Sequence, residues 1–262
     1  MTLERDLRLA VERNELQLRF QPIVLAKNRE LIGFEALVRW LHPKHGLIQP
    51  GEFISIAEES DLIIDIDLWV LEAACKQFQI WKTKHLISPG LQLSINFSSR
   101  QFNQVNLLNR IDEILAKTGM SPRQLQFEIT ESTLLNQSEQ VRNIINGLKE
   151  RGIQLHIDDF GTGYSSLQYL QNFPVDALKI DRSFVDNLLK NHESIELVRT
   201  IILMARNLGM KVVAEGVENE AQLERLRNLQ CGYLQGYLFA KPMTVEDTET
   251  FMEQALMWQI GA

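Results

Sequence analysis

The sequence predicts an α/β fold, a modified TIM-type (β/α)8 barrel whose first strand runs antiparallel to the others. Apolar strand-like runs alternate with helix-like runs along most of the 262 residues, and this order is typical of parallel β-sheets. The first two strand-like runs are separated only by the segment LAKNR. Because this segment is too short for a crossover connection, the two strands should pair antiparallel. No linker or low-complexity tract interrupts the chain, so we expect one domain over residues 1–262.

Eight strand-like runs follow one another along the chain, bounded by turn residues and by helical patterns. They cover residues 16–24, 30–40, 91–97, 123–130, 153–160, 176–182, 211–217 and 231–239. The longest helical pattern lies between the second and third of them, over residues 53–84. Eight strands separated in this way match the strand count of a TIM barrel.

Composition and charge exclude several functional classes. With 27 Lys and Arg against 34 Asp and Glu, the net charge of −7 argues against general electrostatic binding to DNA, RNA or an anionic membrane. The chain has no run of 18 apolar residues, and it opens with a charged amphipathic helix, MTLERDLRLAVERNE, rather than a signal peptide. We therefore expect a cytoplasmic domain. Cys75 and Cys231 match no metal or redox spacing and are expected in the core.

Polar residues alternate with apolar ones along the strands, although strands of a parallel barrel are usually apolar on both faces. In the run 153–160, for example, His156 and Asp158 share one face and Leu155 and Ile157 the other. Helices should cover the apolar faces, so the polar faces should point into the barrel, with active-site residues at the C-terminal strand ends. The ionisable or amide residues expected there are Glu35, Asn96, Glu128, Asp158, Lys179, Glu215 and Gln235.

The adjacent acids Asp158 and Asp159 would repel each other at a strand end unless cations lay against them. Carboxylate and amide oxygens are ligands that suit Mg²⁺ or Mn²⁺. The acids and one amide exceed what a single Mg²⁺ needs, so we expect two ions bridged by an aspartate. Two such ions about 3.5–4 Å apart suit the hydrolysis of a phosphate ester. The predicted metal ligands are Glu35, Asn96, Glu128, Asp158, Asp159 and Glu215.

Three further features adjoin the predicted site. Lys179 could hydrogen-bond a nucleophilic water or a phosphate oxygen. Arg39, on the same strand face as Glu35, could form a paired hydrogen bond with phosphate or a guanine edge. The loop Gly161-Thr162-Gly163 is either a mobile gate or an ordinary strand-to-helix turn.

Long motifs along the whole chain resemble those of the EAL-domain cyclic-di-GMP phosphodiesterases. The namesake triplet Glu35-Ala36-Leu37 lies within GFEALVRWLHPKHGLIQPGEFISIAEES. The other motifs, in order, are FQPIV, LSINFSS, FEITES, IDDFGTGYSSL, DALKIDRSFV, VVAEGVEN and LQGYLFAKPM. The resemblance implies a TIM-like barrel with an antiparallel first strand, and hydrolysis of cyclic di-GMP to linear pGpG with two Mg²⁺ or Mn²⁺ ions.

The resemblance also implies a role for individual residues. Glu35, Asn96, Glu128 and Asp158 would hold the first metal, and Asp158 would bridge to the second, near Asp159 and Glu215. The implied catalytic residues are Glu35, Asp159, Lys179 and Glu215. The implied substrate-binding residues are Gln21, Leu37, Arg39, Asp158, Lys179, Glu218, Gln235 and Tyr237. The implied supports of the Asp158-Asp159 loop are Glu131, Glu218, Gly161, Thr162 and Gly163.

The same resemblance implies partners outside the domain. A homodimer could form through the apolar stretch 183–208, and a GGDEF diguanylate cyclase or sensory domain often accompanies such a barrel in a longer bacterial signalling protein, which could be membrane-anchored. The sequence departs from the family pattern at Phe20, where Tyr is common, and at Asp61, where Gly is usual. Neither is a metal position, but Asp61 could alter the start of a helix.

Two other functions remain open at this point. A non-catalytic cyclic-di-GMP receptor would share the fold, but such family members typically lack metal ligands that this sequence retains. A carboxylate-metal barrel enzyme could instead use Lys179 as the base that abstracts a proton next to a carboxylate. The substrate would discriminate, because the carboxylate-metal enzyme would act on a carboxylic acid, whereas the phosphodiesterase would act on a cyclic dinucleotide.

Overall fold

The computed structural model describes residues 3–135, 138–161, 170 and 172–260, with side chains to residue 254. Within these ranges, nine strands form one sheet. They are β1 (Leu16–Leu25), β2 (Leu31–His42), β3 (Gly46–Ile48), β4 (Gln92–Asn96), β5 (Leu125–Thr130), β6 (Gln154–Phe160), β7 (Ala177–Ile180), β8 (Lys211–Ala214) and β9 (Tyr233–Gln235).

Eight of these strands close into a barrel in the order β1-β2-β4-β5-β6-β7-β8-β9, with β9 returning to β1. β1 pairs antiparallel with both neighbours, β2 and β9. From β2 through β4 to β9, each barrel strand runs parallel to the next one. The predicted barrel with an antiparallel first strand is therefore confirmed. β3 is an addition, a three-residue strand that pairs with the end of β2 and is too short for a pattern of alternation.

Helices surround the barrel. They are α1 (Leu3–Ala10), α2 (Pro50–Glu59), α3 (Ile63–Thr83), α4 (Leu107–Thr118), α5 (Glu131–Leu135), α6 (Glu139–Glu150), α7 (Arg182–Asp186), α8 (His192–Asn207), α9 (Glu220–Asn228) and α10 (Val245–Ile260). The long helical pattern over 53–84 is divided between α2 and α3 at Asp61, whose φ of 57° is left-handed. An α-helix cannot continue through that conformation, which glycine adopts more readily than aspartate.

The main core lies between the barrel and the helices, as the alternation predicts. Outward-facing side chains of β4 and β5, such as Leu93 and Phe127, are fully buried. Burial of each such side chain stabilises the fold by roughly 1.5–3 kcal/mol. Cys75 and Cys231 are free thiols in this core. Within the described ranges, no helix is both long enough and apolar enough to cross a bilayer.

Candidate active site

Four carboxyl groups surround the ammonium group of Lys179 inside the C-terminal end of the barrel. Lys179 Nζ lies 2.6 Å from Glu128 Oε2 and 2.5 Å from Glu215 Oε1. The same atom lies 3.2 Å from Asp158 Oδ1 and 3.6 Å from Glu35 Oε2. Only 1% of the Lys179 side chain is exposed, so these charges interact with little solvent between them. One positive charge therefore faces four carboxyl groups in a site from which solvent is largely excluded.

Hydrogen bonds hold both carboxylate oxygens of Glu35. Asn96 Nδ2 donates to Oε1 and Gln235 Nε2 donates to Oε2, each at 2.6 Å. Gln235 Nε2 also donates to Gln21 Oε1 at 3.1 Å. The barrel produces this arrangement because Gln21 on β1 is opposite Glu35 on β2, and β4 and β9 flank this pair of strands. Burial raises the pKa of Glu35, but attraction to Lys179 and these two amides together hold it below its usual value.

Two of the other acids, Glu128 and Glu215, have raised pKa values. Burial, followed by repulsion from Glu35, raises the pKa of Glu128 well above its usual value. Burial also raises the pKa of Glu215 to about 8, even though Lys179 opposes the shift. For Lys179, burial lowers the pKa, but the surrounding acids outweigh it and raise the pKa overall. Burial is therefore the main cause of both raised carboxyl pKa values, and attraction to Lys179 does not cancel it.

The end of β6 brings Asp158 and Asp159 to the same rim. Ligand atoms of Asp158, Asp159 and Glu215 lie within 4.8 Å of one another. Asp159 has a left-handed φ of 52°, a conformation that aspartate tolerates better than most residues. Burial, followed by repulsion from Asp158, raises its pKa. Gly161 follows with a φ of 93°, whereas Thr162 and Gly163 lie outside the described residues.

The donor set suits a divalent metal. Glu128 Oε1 is buried and has no hydrogen-bond partner among the described residues, an expensive state for a carboxylate oxygen unless a cation contacts it. Asn96 uses its amide nitrogen on Glu35, which leaves its oxygen available as a ligand. The ligands are oxygen atoms, which favours Mg²⁺ or Mn²⁺ over zinc. The six predicted metal ligands occupy the C-terminal end of the barrel, and the pairings of neighbouring strands bring them together.

A polar cavity of about 260 Å³ opens beside this cluster. Most of the predicted substrate-binding residues line it: Gln21, Leu37, Asp158, Lys179, Glu218, Gln235 and Tyr237. Gly236 makes this wall possible, because a Cβ atom there would overlap the backbone of Val217. Tyr237 is 49% exposed, and its ring centroid lies 5.5 Å from Lys241 Nζ. The wall therefore presents an aromatic face to the cavity mouth.

Arg182 also lines the polar cavity, although the sequence did not single it out. Its Nη2 donates to Glu218 Oε1 at 2.7 Å, and its guanidinium carbon lies 5.9 Å from the Tyr237 ring centroid. The described partner of Glu218 is thus an arginine, and support of the Asp158-Asp159 loop by Glu218 and Glu131 stays a prediction. The signal for Arg182 was its position in DALKIDRSFV, two residues after the end of the strand that carries Lys179.

Arg39 lies outside the walls of this cavity. Its Nη1 donates to the Val38 carbonyl oxygen at 2.8 Å. Burial, followed by repulsion from Arg19, lowers its pKa, while Glu35 and Tyr237 act in the opposite direction. The two arginines lie on the paired strands β1 and β2 and form a local concentration of positive charge. A role for Arg39 in binding an anion or a guanine edge stays a prediction.

A second cavity, of about 220 Å³ and mainly apolar, shares Asp158 with the polar cavity. Its walls include Leu37, Ile54 and Asn96, together with the buried Asp67. Asp67 Oδ2 accepts a hydrogen bond from the Ser98 N–H at 3.0 Å, and burial raises the pKa of Asp67 to about 8. Sequence reasoning missed Asp67, because within a helical pattern it resembles an ordinary surface acid.

A family model described as the EAL domain matches residues 4–242. The bifunctional diguanylate cyclase/cyclic di-GMP phosphodiesterase MucR of Pseudomonas aeruginosa is 43% identical over 246 residues, which cover 94% of this chain and 36% of MucR. The cyclic di-GMP phosphodiesterase NbdA of the same organism is 39% identical over 253 residues, or 96% of this chain and 32% of NbdA. The chain thus spans about a third of the length of these curated relatives.

Solved structures give the same match. The MucR phosphodiesterase in complex with c-di-GMP has a TM-score of 0.89 and 42% identity, covering 95% of this chain and all of that one. The EAL domain of FimX from P. aeruginosa, bound to c-di-GMP, has a TM-score of 0.81 and 26% identity, covering 92% of this chain and 97% of that one. The barrel fold is therefore shared with proteins solved in complex with c-di-GMP.

Proposed function

Because this chain belongs to the EAL-domain family, we propose that it is a phosphodiesterase that hydrolyses cyclic di-GMP to linear pGpG with two divalent cations, Mg²⁺ or Mn²⁺. The observation that carries this proposal is the convergence of the candidate ligands Glu35, Asn96, Glu128, Asp158, Asp159 and Glu215 at one rim of the barrel. Two divalent ions at such a rim lower the pKa of a water and stabilise charge on a phosphodiester.

The protein's own residues have distinct tasks in this proposal. Glu35, fixed by Asn96 and Gln235, stays ionised and is therefore ready to bind a cation. Lys179 is held charged among the acids and can donate a hydrogen bond to the attacking water or to a phosphate oxygen. Glu128 and Glu215 would lose their protons when cations bind, so cation binding should release protons.

The two cavities support a substrate with two bulky ends. They share Leu37 and Asp158, and members of the acid cluster line both of them. Cyclic di-GMP has two guanine bases on either side of a phosphodiester ring. We expect one guanine to contact the apolar cavity near Ile54 and the other to lie on the side of Tyr237, with the scissile phosphate between them.

The test measures pGpG formation from cyclic di-GMP by the purified chain with Mg²⁺ or Mn²⁺. Glu35→Gln should lower the turnover by a factor of about 10²–10³ or more, the scale of losing one charge-stabilising group. Glu113→Gln, an exposed acid on α4, is the matched control and should leave the turnover unchanged. If the parent chain bound cyclic di-GMP tightly without forming product, the receptor function would be favoured. If it neither bound cyclic di-GMP nor formed product, both functions would be overturned.

The number of ions has a separate test. Titration of metal-free protein with Mn²⁺, followed by electron paramagnetic resonance, should give two ions per chain with spin coupling between them. Glu128→Gln should weaken this binding, because it replaces a predicted ligand without changing its volume. A single uncoupled Mn²⁺ per chain would contradict the two-ion proposal while leaving the substrate open.

The proposed assembly is a homodimer. Leu189, Leu197 and Leu203 are 45–50% exposed within the stretch 183–208, as an interface would require. Sedimentation at micromolar protein concentration should give a dimer, and Leu203→Glu should shift it to monomer. A covalently joined GGDEF or sensory domain, a membrane-anchored parent protein and a bacterial cytoplasmic location stay predictions.

A further inference from the structure

The N-terminal end of the barrel contains a cavity of about 300 Å³, at the end opposite the acid cluster. Strands β1, β2, β4, β5, β6, β7, β8 and β9 all contribute to its walls. This end of a TIM barrel is normally closed by layers of packed side chains. A cavity of this volume lies at the lower end of the range for ligand sites.

Unpaired polar atoms line this cavity. His156 is 3% exposed, and neither of its ring nitrogens has a hydrogen-bond partner among the described residues. Gln92 Oε1 is buried and equally without a partner. An imidazole offers at least one N–H donor in either protonation state, whereas an amide oxygen only accepts. The cavity therefore presents at least one donor and one acceptor that the protein itself does not satisfy.

The charge of the lining is positive. Lys211 is the charged residue among the described lining residues, and its Nζ lies 5.7 Å from the ring centroid of Tyr233. Asp176, which precedes β7, is already paired with Lys149 and accepts the Leu155 N–H. An anion that entered this cavity would thus meet a cation without meeting an unpaired carboxylate in its walls.

Aliphatic side chains form another part of the walls, beside Gln126 and Tyr233. Ile23, Leu25 and Ile32 face the cavity from β1 and β2, and Val213 faces it from β8. Water molecules could satisfy His156 and Gln92, but they would gain nothing from these aliphatic side chains. An organic molecule with an acidic group, a hydroxyl donor and an apolar body matches each part of the lining.

We propose that the N-terminal mouth of the barrel binds a small organic carboxylate that carries a hydroxyl group. The carboxylate accepts hydrogen bonds from His156 and Lys211, the hydroxyl donates to Gln92 Oε1, and the apolar body packs on Ile23 and Val213. This site is distinct from the acid cluster and does not depend on the proposed phosphodiesterase activity.

The test uses 4-hydroxybenzoate as the probe and 4-hydroxybenzamide as its neutral analogue of the same shape. Metal-free protein is titrated with each compound, and the imidazole resonances of His156 are followed by ¹H–¹⁵N NMR. For ten non-hydrogen atoms, a dissociation constant on the order of 1 mM is expected for the carboxylate. The amide should bind at least tenfold more weakly.

Two variants make the test specific. Lys211→Met keeps the stem of the side chain but removes the charge, and should weaken binding of 4-hydroxybenzoate at least tenfold. Lys44→Met, an exposed lysine in the β2–β3 turn, is the matched control and should leave binding unchanged. Equal binding of carboxylate and amide, an unchanged affinity in Lys211→Met, or no saturation by about 20 mM would each overturn the proposal.

Discussion

The two ends of the barrel interior are both polar, but they differ in how their polar groups are balanced. At the N-terminal end, Ser94 Oγ donates to Gln126 Oε1 at 2.9 Å. His156 is neutral there, since burial, aided by nearby lysines, lowers its pKa to about 3. At the C-terminal end, four carboxyl groups crowd around Lys179. The difference teaches that inward polar residues identify a lumen, whereas charge that the protein cannot balance identifies a cation site.

The strongest test of this comparison removes one lysine from each end. Lys179→Met should destabilise the metal-free protein by about 3–5 kcal/mol, the range for breaking a buried ion pair. Lys211→Met removes an exposed charge and should change the free energy of unfolding by no more than about 0.5 kcal/mol. Urea denaturation in EDTA measures both. Similar losses at the two ends would show that Lys179 does not hold the acid cluster together.

A reciprocal exchange on β5 sharpens the same point. Gln126 and Glu128 share the inner face of this strand, one at each end of the interior. Glu128→Gln removes like-charge repulsion and should stabilise the metal-free protein by about 1–2 kcal/mol, while Gln126→Glu should destabilise it by about 1–3 kcal/mol. Thermal unfolding with and without Mn²⁺ measures this. Mn²⁺ should stabilise Glu128→Gln less than it stabilises the parent protein. If both exchanges changed the free energy of unfolding in the same direction, the comparison between the two ends would be contradicted.

The regular parts of this architecture could be predicted from the sequence because two simple geometric rules fix them. A period of two residues assigns each side chain to a strand face, which placed Glu35, Asn96 and Glu128 inside the barrel. Parallel pairing then brings the ends of the strands to one rim. These rules also place Lys179 inside the barrel near the acids, but its ion pairs with them are seen only in the structure.

The remaining features depend on contacts between distant segments, which no local pattern encodes. The bond from the Ser98 N–H to Asp67 joins the end of β4 to α3. The pair of Arg182 and Glu218 joins α7 to the segment after β8. The break between α2 and α3 is local instead, and the sequence signalled it, because Asp61 stands where glycine is usual and adopts a left-handed φ.

The pH dependence of stability should have opposite signs at the two ends. Burial holds Asp67 protonated to about pH 8, whereas the unfolded chain loses this proton near pH 4. Between these values the folded state binds more protons, so the stability falls as pH rises, by up to about 1.4 kcal/mol per unit. His156 is neutral down to about pH 3, whereas the unfolded chain gains a proton below about pH 6.5. Its contribution therefore falls as pH decreases.

Two neutral substitutions separate these contributions in metal-free protein. Asp67→Asn should reduce the loss of stability between pH 6.5 and 8, where Glu215 contributes a loss of the same sign. His156→Gln should reduce the loss below pH 6.5. Urea denaturation at pH values below and above 6.5 gives the dependence of the unfolding free energy on pH in both ranges. If Asp67→Asn left the alkaline slope unchanged, the carboxyl group of Asp67 would already be ionised at neutral pH.

The smallest expected effect concerns the hydrogen bond between Ser94 and Gln126. Ser94→Ala removes the donor to Gln126 Oε1, and the loss should be about 1 kcal/mol, because water can enter the neighbouring cavity and replace the hydroxyl. Asn96 lies two residues further along β4 at the acid cluster, and Asn96→Ala should in addition weaken Mn²⁺ binding. Ser94→Ala should leave Mn²⁺ affinity unchanged in the same titration. A weaker Mn²⁺ affinity in Ser94→Ala would mean that the two ends of the barrel are coupled through β4. The hydrogen-bonded pair of Ser94 and Gln126 would then contribute to the geometry of the cation site.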